Sequence, residues 1–254
     1  MKKLKADLHV HCAEDPLDRV EHSAEQLIET AAQKEFDAIC IANHRVITYN
    51  KELSQYAERQ GIVLIPGIEK PIEGKHVLLV NVDWRVHAVE TFHELRRWKR
   101  DNTLVIAPHP YYPKGICLRS ALERNIDLFD AIEYSFFYSG FVNFNERARK
   151  VAEKYTMPTV GSSDCHDIRD LGLTYTLIDS EKNVDAILNA VRNGKTEVVT
   201  KALTFLQVCA RGVSGVVGSL IEATLKQTYG RITGSLPFEA KALAYRCRKE
   251  QRGV

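Results

Sequence analysis

The sequence predicts an α/β fold around a largely parallel sheet, open or closed into a barrel. Three observations carry that reading. Short apolar, β-prone runs recur at 4–10, 37–42, 62–66, 75–80, 103–107, 130–135, 158–162 and 174–178. Amphipathic helical patterns fall between many of them, near 23–35, 50–60, 88–100, 145–155 and 183–193, and repeated strand–helix units build parallel sheets. Histidines and carboxylates recur at the C-terminal ends of the runs, the edge where ligands bind in such folds.

The chain has 254 residues, 44% hydrophobic and 27% charged. That allows one large domain or two modest ones, with the balance of an ordinary globular protein. A net charge of +2 is too small to argue for long nucleic acid or an acidic membrane surface. The start, MKKLKADLHV, lacks the apolar core of a secretory signal. No stretch offers about 18 consecutive apolar residues for a membrane span; the nearest, 202–223, is interrupted by Gln207 and Arg211. Six cysteines stand singly at 12, 40, 117, 165, 209 and 247, a pattern expected of reduced thiols in the cytoplasm. Cys12 and Cys165 adjoin candidate ligands but read first as small buried side chains.

The first run ends in Asp7-Leu8-His9-Val10-His11. Side chains alternate along a strand, so His9 and His11 share one side, half of a divalent-metal site. The following helix has Ser23 as N-cap with Gln26 three residues on, and Leu27, Ile28 and Ala31 on its apolar stripe. The second run ends in Ala42-Asn43-His44. The third ends in Pro66-Gly67-Ile68-Glu69, and His76 opens the fourth. A carboxylate such as Glu69 can join two neighbouring metals through its two oxygens. In the fifth run His109 sits between Pro108 and Pro110, which stiffen the turn. The seventh closes on Gly161-Ser162-Ser163-Asp164-Cys165-His166, where Asp164 and His166 echo the first pair. Six of nine histidines thus stand at strand ends; His22, His87 and His93 read as surface or packing residues. Beyond residue 200 the alternation stops, and 202–229 and 237–250 read as helices separated by the Gly230–Pro237 break.

The ordered set DLHVH, IANH, PGIE, KHVLLV, APHP and GSSDCH resembles the polymerase-and-histidinol-phosphatase (PHP) domain superfamily, across residues 4 to about 180. The resemblance implies a distorted TIM-like (β/α)7 barrel over 1–200, with residues 201–254 as a C-terminal helical extension packed on it. It implies a cytoplasmic metal-dependent hydrolase with two or three divalent ions, manganese, iron or zinc. His9, His11, Glu69 and Asp164 would hold one ion; Glu69, His76 and His109 a second. His44 and His166 would hold a third with a residue from the loop after DLHVH, either Asp18 or Asp15. Two departures stand out: Asn43 replaces the usual aspartate of the second block, and Cys-Ala-Glu-Asp-Pro-Leu-Asp replaces the usual first loop.

The implied chemistry is hydrolysis of a small phosphate ester by a metal-activated hydroxide. His166 or Asp164 would assist proton transfer, and Arg45 and Arg169 are candidate phosphate contacts. The rivals are a nuclease or nucleotide phosphodiesterase acting on a short nucleotide, and a non-catalytic metal-binding regulatory module. The sequence leaves the oligomeric state open.

Overall fold

The computed structural model describes residues 2–140 and 142–204. The expected extension therefore lies, beyond Thr204, outside the described residues, as do Cys209 and Cys247.

Nine strands form one sheet: β1 (Leu4–Val10), β2 (Ala38–Ile41), β3 (Val63–Ile72), β4 (Lys75–Val80), β5 (Leu104–Ala107), β6 (Ala131–Ser135), β7 (Thr159–Ser162), β8 (Thr174–Ile178) and β9 (Thr196–Thr200). Their order is β7-β6-β5-β4-β3-β2-β1-β8-β9. All eight expected runs are strands. The sheet is mixed rather than largely parallel, however. Pairs β1–β2, β2–β3, β5–β6 and β6–β7 are parallel, whereas β3–β4, β4–β5, β1–β8 and β8–β9 are antiparallel.

The reversal begins where β3 runs past its expected end to Ile72. It turns through Glu73 (φ 49°) and Gly74 (φ 73°) and pairs Ile72 with Lys75. Two successive positive φ values make the tight turn that suits strand twist. Glu69 consequently lies inside a hydrogen-bonded strand, not at a strand end. The short run of β9 was not expected; it follows Gly194 (φ 66°) and forms a hairpin-like pair with β8.

Helices α1 (Ala24–Gln33), α2 (Lys51–Arg59), α3 (Phe92–Trp98), α4 (Ser120–Arg124), α5 (Asn145–Tyr155) and α6 (Val184–Arg192) flank the sheet. The Ser23 cap forms as expected: its Oγ accepts from the Gln26 N–H, and Gln26 Oε1 accepts from the Ser23 N–H. The stripe Ala24, Leu27, Ile28, Ala31 packs against Ile39 and Ile41 of β2. Each fully buried large aliphatic there contributes about 1.5–3 kcal/mol. α6 buries Ile187, Leu188 and Val191 against Leu8, Ile65 and Ile106. Val86, Leu95, Leu122 and Val151 line a third cluster.

The sheet curls into a nearly closed barrel, and its seam is made largely by side chains. The Thr176 hydroxyl donates to the Gly161 carbonyl at 2.8 Å and accepts from the Gly161 N–H at 2.9 Å. Gly161 is required here, because a Cβ would stand 2.6 Å from the Tyr175 carbonyl oxygen. Past Ser162 the chain is tied to β1 by the Ser163 N–H on the Asp7 carboxylate and by a parallel bridge of Val10 with Cys165.

Candidate metal centre

His9 and His11 emerge from β1 on one side, with their Nε2 atoms 3.1 Å apart. Leu8 and Val10 are buried in different core clusters, because the β1–β2 register shifts between Asp7 and Val10. The simple alternation expected there is broken, yet the two imidazoles still meet. Asp164 Oδ1 lies 3.6 Å from His9 Nε2 and 3.3 Å from His11 Nε2. Glu69 Oε2 lies 3.6 and 3.8 Å from the same two atoms. Donors on a tetrahedral ion with bonds of about 2.0–2.1 Å stand roughly 3.3 Å apart. The His9, His11 and Asp164 atoms lie close to that spacing and could share an ion, with Glu69 Oε2 slightly farther out.

The protonation pattern supports a cation there. His9 Nδ1 faces Glu133 Oε1 at 2.8 Å, and His11 Nδ1 faces Asp15 Oδ2 at 3.0 Å. With Nδ1 facing a carboxylate, Nε2 is the nitrogen of each ring left for an ion. The two Nε2 atoms face each other, and the buried Asp164 Oδ1 between them has no hydrogen-bond partner among the described residues. A cation bound there would satisfy all three.

The other oxygen of Glu69 serves a second set. Glu69 Oε1 lies 2.6 Å from His76 Nδ1 and 3.1 Å from His109 Nε2. His44 Nε2 approaches Glu69 Oε2 at 2.9 Å. His166 Nε2 meets Asp18 Oδ2 at 2.9 Å, and Asp18 Oδ2 is 3.7 Å from His44 Nδ1. Three groups have donor atoms close enough to share an ion: His9, His11 and Asp164; His44, Glu69 and His76; His11, His44 and His166. These residues could therefore hold divalent metal.

The electrostatics are tightly balanced. Burial opposes charge on Glu69, but His9, His109, His44 and His76 outweigh it and hold the carboxyl well below its usual range. Asp164 is likewise lowered against burial, by His9, His11 and His166. Burial also works against a charged His9, yet Glu133, Asp164 and Glu69 raise it well above the usual imidazole value. His44 is pushed up to about 10 against burial, by Asp15 and Glu69. His109 (φ 29°) and Asp164 (φ 45°) both hold left-handed backbone, a strain that accumulates at functional positions.

Of the expected site residues, the structure brings together His9, His11, Asp18, His44, Glu69, His76, His109, Asp164 and His166. Arg45 is exposed immediately beyond His44, its N–H bonded to the Glu69 carbonyl. Arg169 is exposed, and its guanidinium is paired with Asp167. Asn43 takes no part in the donor sets. Its Oδ1 accepts from the Cys12 N–H at 2.9 Å, and its Nδ2 meets Cys12 Sγ and Thr48 Oγ1. Cys12, Cys40, Cys117 and Cys165 are buried thiols.

A family model described as PHP-associated matches residues 142–196. The fold is similar to a two-domain protein from Bacteroides vulgatus containing a predicted PHP-like metal-dependent phosphoesterase. The TM-score is 0.62 at 19% identity, over 78% of this chain and 65% of that one. The chain shares its fold with this PHP-like protein and carries a PHP-associated segment. It spans less than two-thirds of that two-domain relative. PsfC from Pseudomonas syringae aligns over 87% of this chain and all of its own, with TM-score 0.61 and 21% identity. The lesion-specific endonuclease PfuEndoQ from Pyrococcus furiosus aligns at TM-score 0.54 and 14% identity, over 77% of this chain and 57% of its own. No curated protein matched the sequence.

Two carboxylates of this site were not expected from the sequence. Glu133, in the middle of β6, accepts from His9 Nδ1 and, through Oε2, from the His109 N–H at 2.6 Å. Asp7, fully buried on β1, accepts from the N–H groups of His9 and Ser163. Burial pushes Asp7 up to about 7 against those bonds. The available signal was a lone acid inside an otherwise apolar strand, which burial tolerates only with partners. His22, expected to be a packing residue, is buried and caps the His11 carbonyl at 2.9 Å. Among the described residues no helix is long and apolar enough to cross a membrane.

Proposed function

We propose that this chain is a PHP-type metal-dependent phosphoesterase that hydrolyses a small phosphate ester. The observation that carries the reading is the convergence of six imidazoles on Glu69 and Asp164, with each oxygen of Glu69 turned toward a different set. His9, His11, Glu69 and Asp164 would hold one ion. Glu69, His76 and His109 would hold a second, and His44, His166 and Asp18 a third. Manganese, iron or zinc all suit such mixed imidazole and carboxylate donors. Divalent ions in such a set lower the pKa of water and neutralise phosphoryl charge.

The chain's own residues supply the rest. Glu133 and Asp15 hold the His9 and His11 rings so that Nε2 faces inward. Asp18, at 47%, serves as the loop ligand in this reading. Of the remaining imidazole and carboxylate groups of the site, His166 and Asp164 have the most solvent access, at 35% and 21% side-chain exposure. They are therefore the groups placed to pass a proton to or from an incoming ester. Arg45 would meet the phosphate beside His44, whereas Arg169 would first have to leave Asp167.

The relatives named as a phosphoesterase and an endonuclease support ester hydrolysis without choosing the ester. A net charge of +2 favours a small substrate or short nucleotide over long duplex. The test is a screen of phosphomonoesters, phosphodiesters and short oligonucleotides with protein stripped by chelator and reloaded with manganese, iron or zinc. Activity that disappears with chelator and returns with metal is expected. Full activity after stripping, or purified protein that takes up no metal, would overturn the reading. Turnover of diesters alone would replace a monoester substrate by a nucleotide one.

A further inference from the structure

We propose that Asp15 is a positioning residue that sets two ligand histidines at once and leaves Asp18 as the loop ligand. This rests on the metal-holding reading above. Asp15 Oδ2 accepts from His11 Nδ1 at 3.0 Å, from His44 Nδ1 at 2.9 Å and from the His44 N–H at 2.7 Å. Its Oδ1 accepts from the N–H groups of Leu17 at 2.8 Å and Asp18 at 3.0 Å. The side chain is fully buried.

Every one of those partners is a donor. A carboxylate offers about four lone-pair sites, and these are already committed, so no oxygen of Asp15 is left for an ion. The commitment also fixes tautomers. With Nδ1–H of His11 and His44 both directed at Asp15, Nε2 is the nitrogen of each ring left to carry a lone pair toward a bound ion. Nε2 is the atom that approaches Asp164 from His11 and Glu69 from His44.

Asp18 is placed by the same carboxylate. The turn pinned by Asp15 Oδ1 carries Asp18 outward, and its Oδ2 reaches His166 Nε2. Asp18 has few competing donors. One carboxylate thus orients a ring of the first set, a ring of the third, and the loop that delivers the third set's acid. Asparagine cannot replace it, because its amide nitrogen would face N–H groups in either orientation.

The test uses the full chain labelled with 15N-histidine, metal-free and loaded with zinc, as wild type, Asp15→Asn and Asp18→Asn. Wild type is expected to show slowly exchanging Nδ1–H signals for His11 and His44. Asp15→Asn should lose them and bind zinc about 10–100-fold more weakly. Asp18→Asn should keep both signals while releasing its weakest zinc. Either ring found as the Nε2–H tautomer in zinc-loaded wild type overturns the proposal, whether or not Asp15→Asn folds. So does Asp15→Asn with both signals and wild-type zinc affinity. Wild type that shows both signals and binds no zinc overturns the metal reading but not the pairing of Asp15 with two rings.

Discussion

Replacing Glu133 by glutamine tests whether buried carboxylates behind the ligands shape the site. Glu133 is 1% exposed and splits its oxygens between two donors, the His9 ring and the His109 backbone. Glutamine has one oxygen for those two tasks. If the oxygen stays on the His109 N–H, the amide nitrogen faces His9 Nδ1 and drives the proton to Nε2. That atom is 3.1 Å from His11 Nε2, where a ligand lone pair is needed. If the amide turns over, a buried backbone N–H loses its acceptor, at about 1–3 kcal/mol. Glu133→Gln should therefore lower metal-free stability by about 1–3 kcal/mol in urea unfolding. Loss of such an outer partner typically weakens metal binding about 10–100-fold, or roughly 1.4–2.8 kcal/mol. Chelator competition measures it, with the exposed Glu146→Gln as control. Wild-type zinc affinity and stability in Glu133→Gln would refute the argument.

Further outcomes follow from the same geometry. His44 is raised from 6.5 to about 10, so its contribution is fully present below pH 6.5 and lost as pH climbs through about 10. Metal-free protein should lose stability over that window, whereas zinc-loaded protein should not, since ions compete with protons for the ring; urea midpoints against pH distinguish the two. Glu69→Gln removes the acid shared by both oxygens' imidazole sets and should lower bound metal below the wild-type value by elemental analysis, with activity lost. Thr176→Val removes the only polar atom of that side chain, orphaning the Gly161 N–H, and should cost about 1–3 kcal/mol in thermal or urea unfolding.

Periodicity was enough to locate the strands that carry the site, because their apolar runs are short and bounded by turn residues. It could not give their direction. Parallel and antiparallel partners demand the same buried faces, and the reversal at β3–β4 rests on Glu73 and Gly74, two residues in a turn. The histidines were legible because they recur at run ends. Glu133 and Asp7 were not, since each is a single acid in an apolar run whose meaning depends on a donor distant in sequence. For Glu133 that donor is 124 residues away. The loop acid was ambiguous for a related reason. Asp15 and Asp18 differ in which donors surround them, and spacing does not record that.

The Thr176 seam bears on how the molecule opens. Elsewhere around the barrel, neighbouring strands are zipped by backbone ladders. Along the seam edge of β7 the ties are mainly side-chain ones: the Thr176 hydroxyl on Gly161, the Thr196 hydroxyl on the Thr159 carbonyl and the Asp7 carboxylate on the Ser163 N–H, with the Cys165–Val10 bridge beyond. Native-state hydrogen exchange should find its cheapest sub-global opening along that line. Such a fluctuation would swing Asp164 and His166 away while β1 to β5 keep His9, His11, Glu69 and His76 in place. An opening along that line would let ions exchange without unfolding the rest of the sheet.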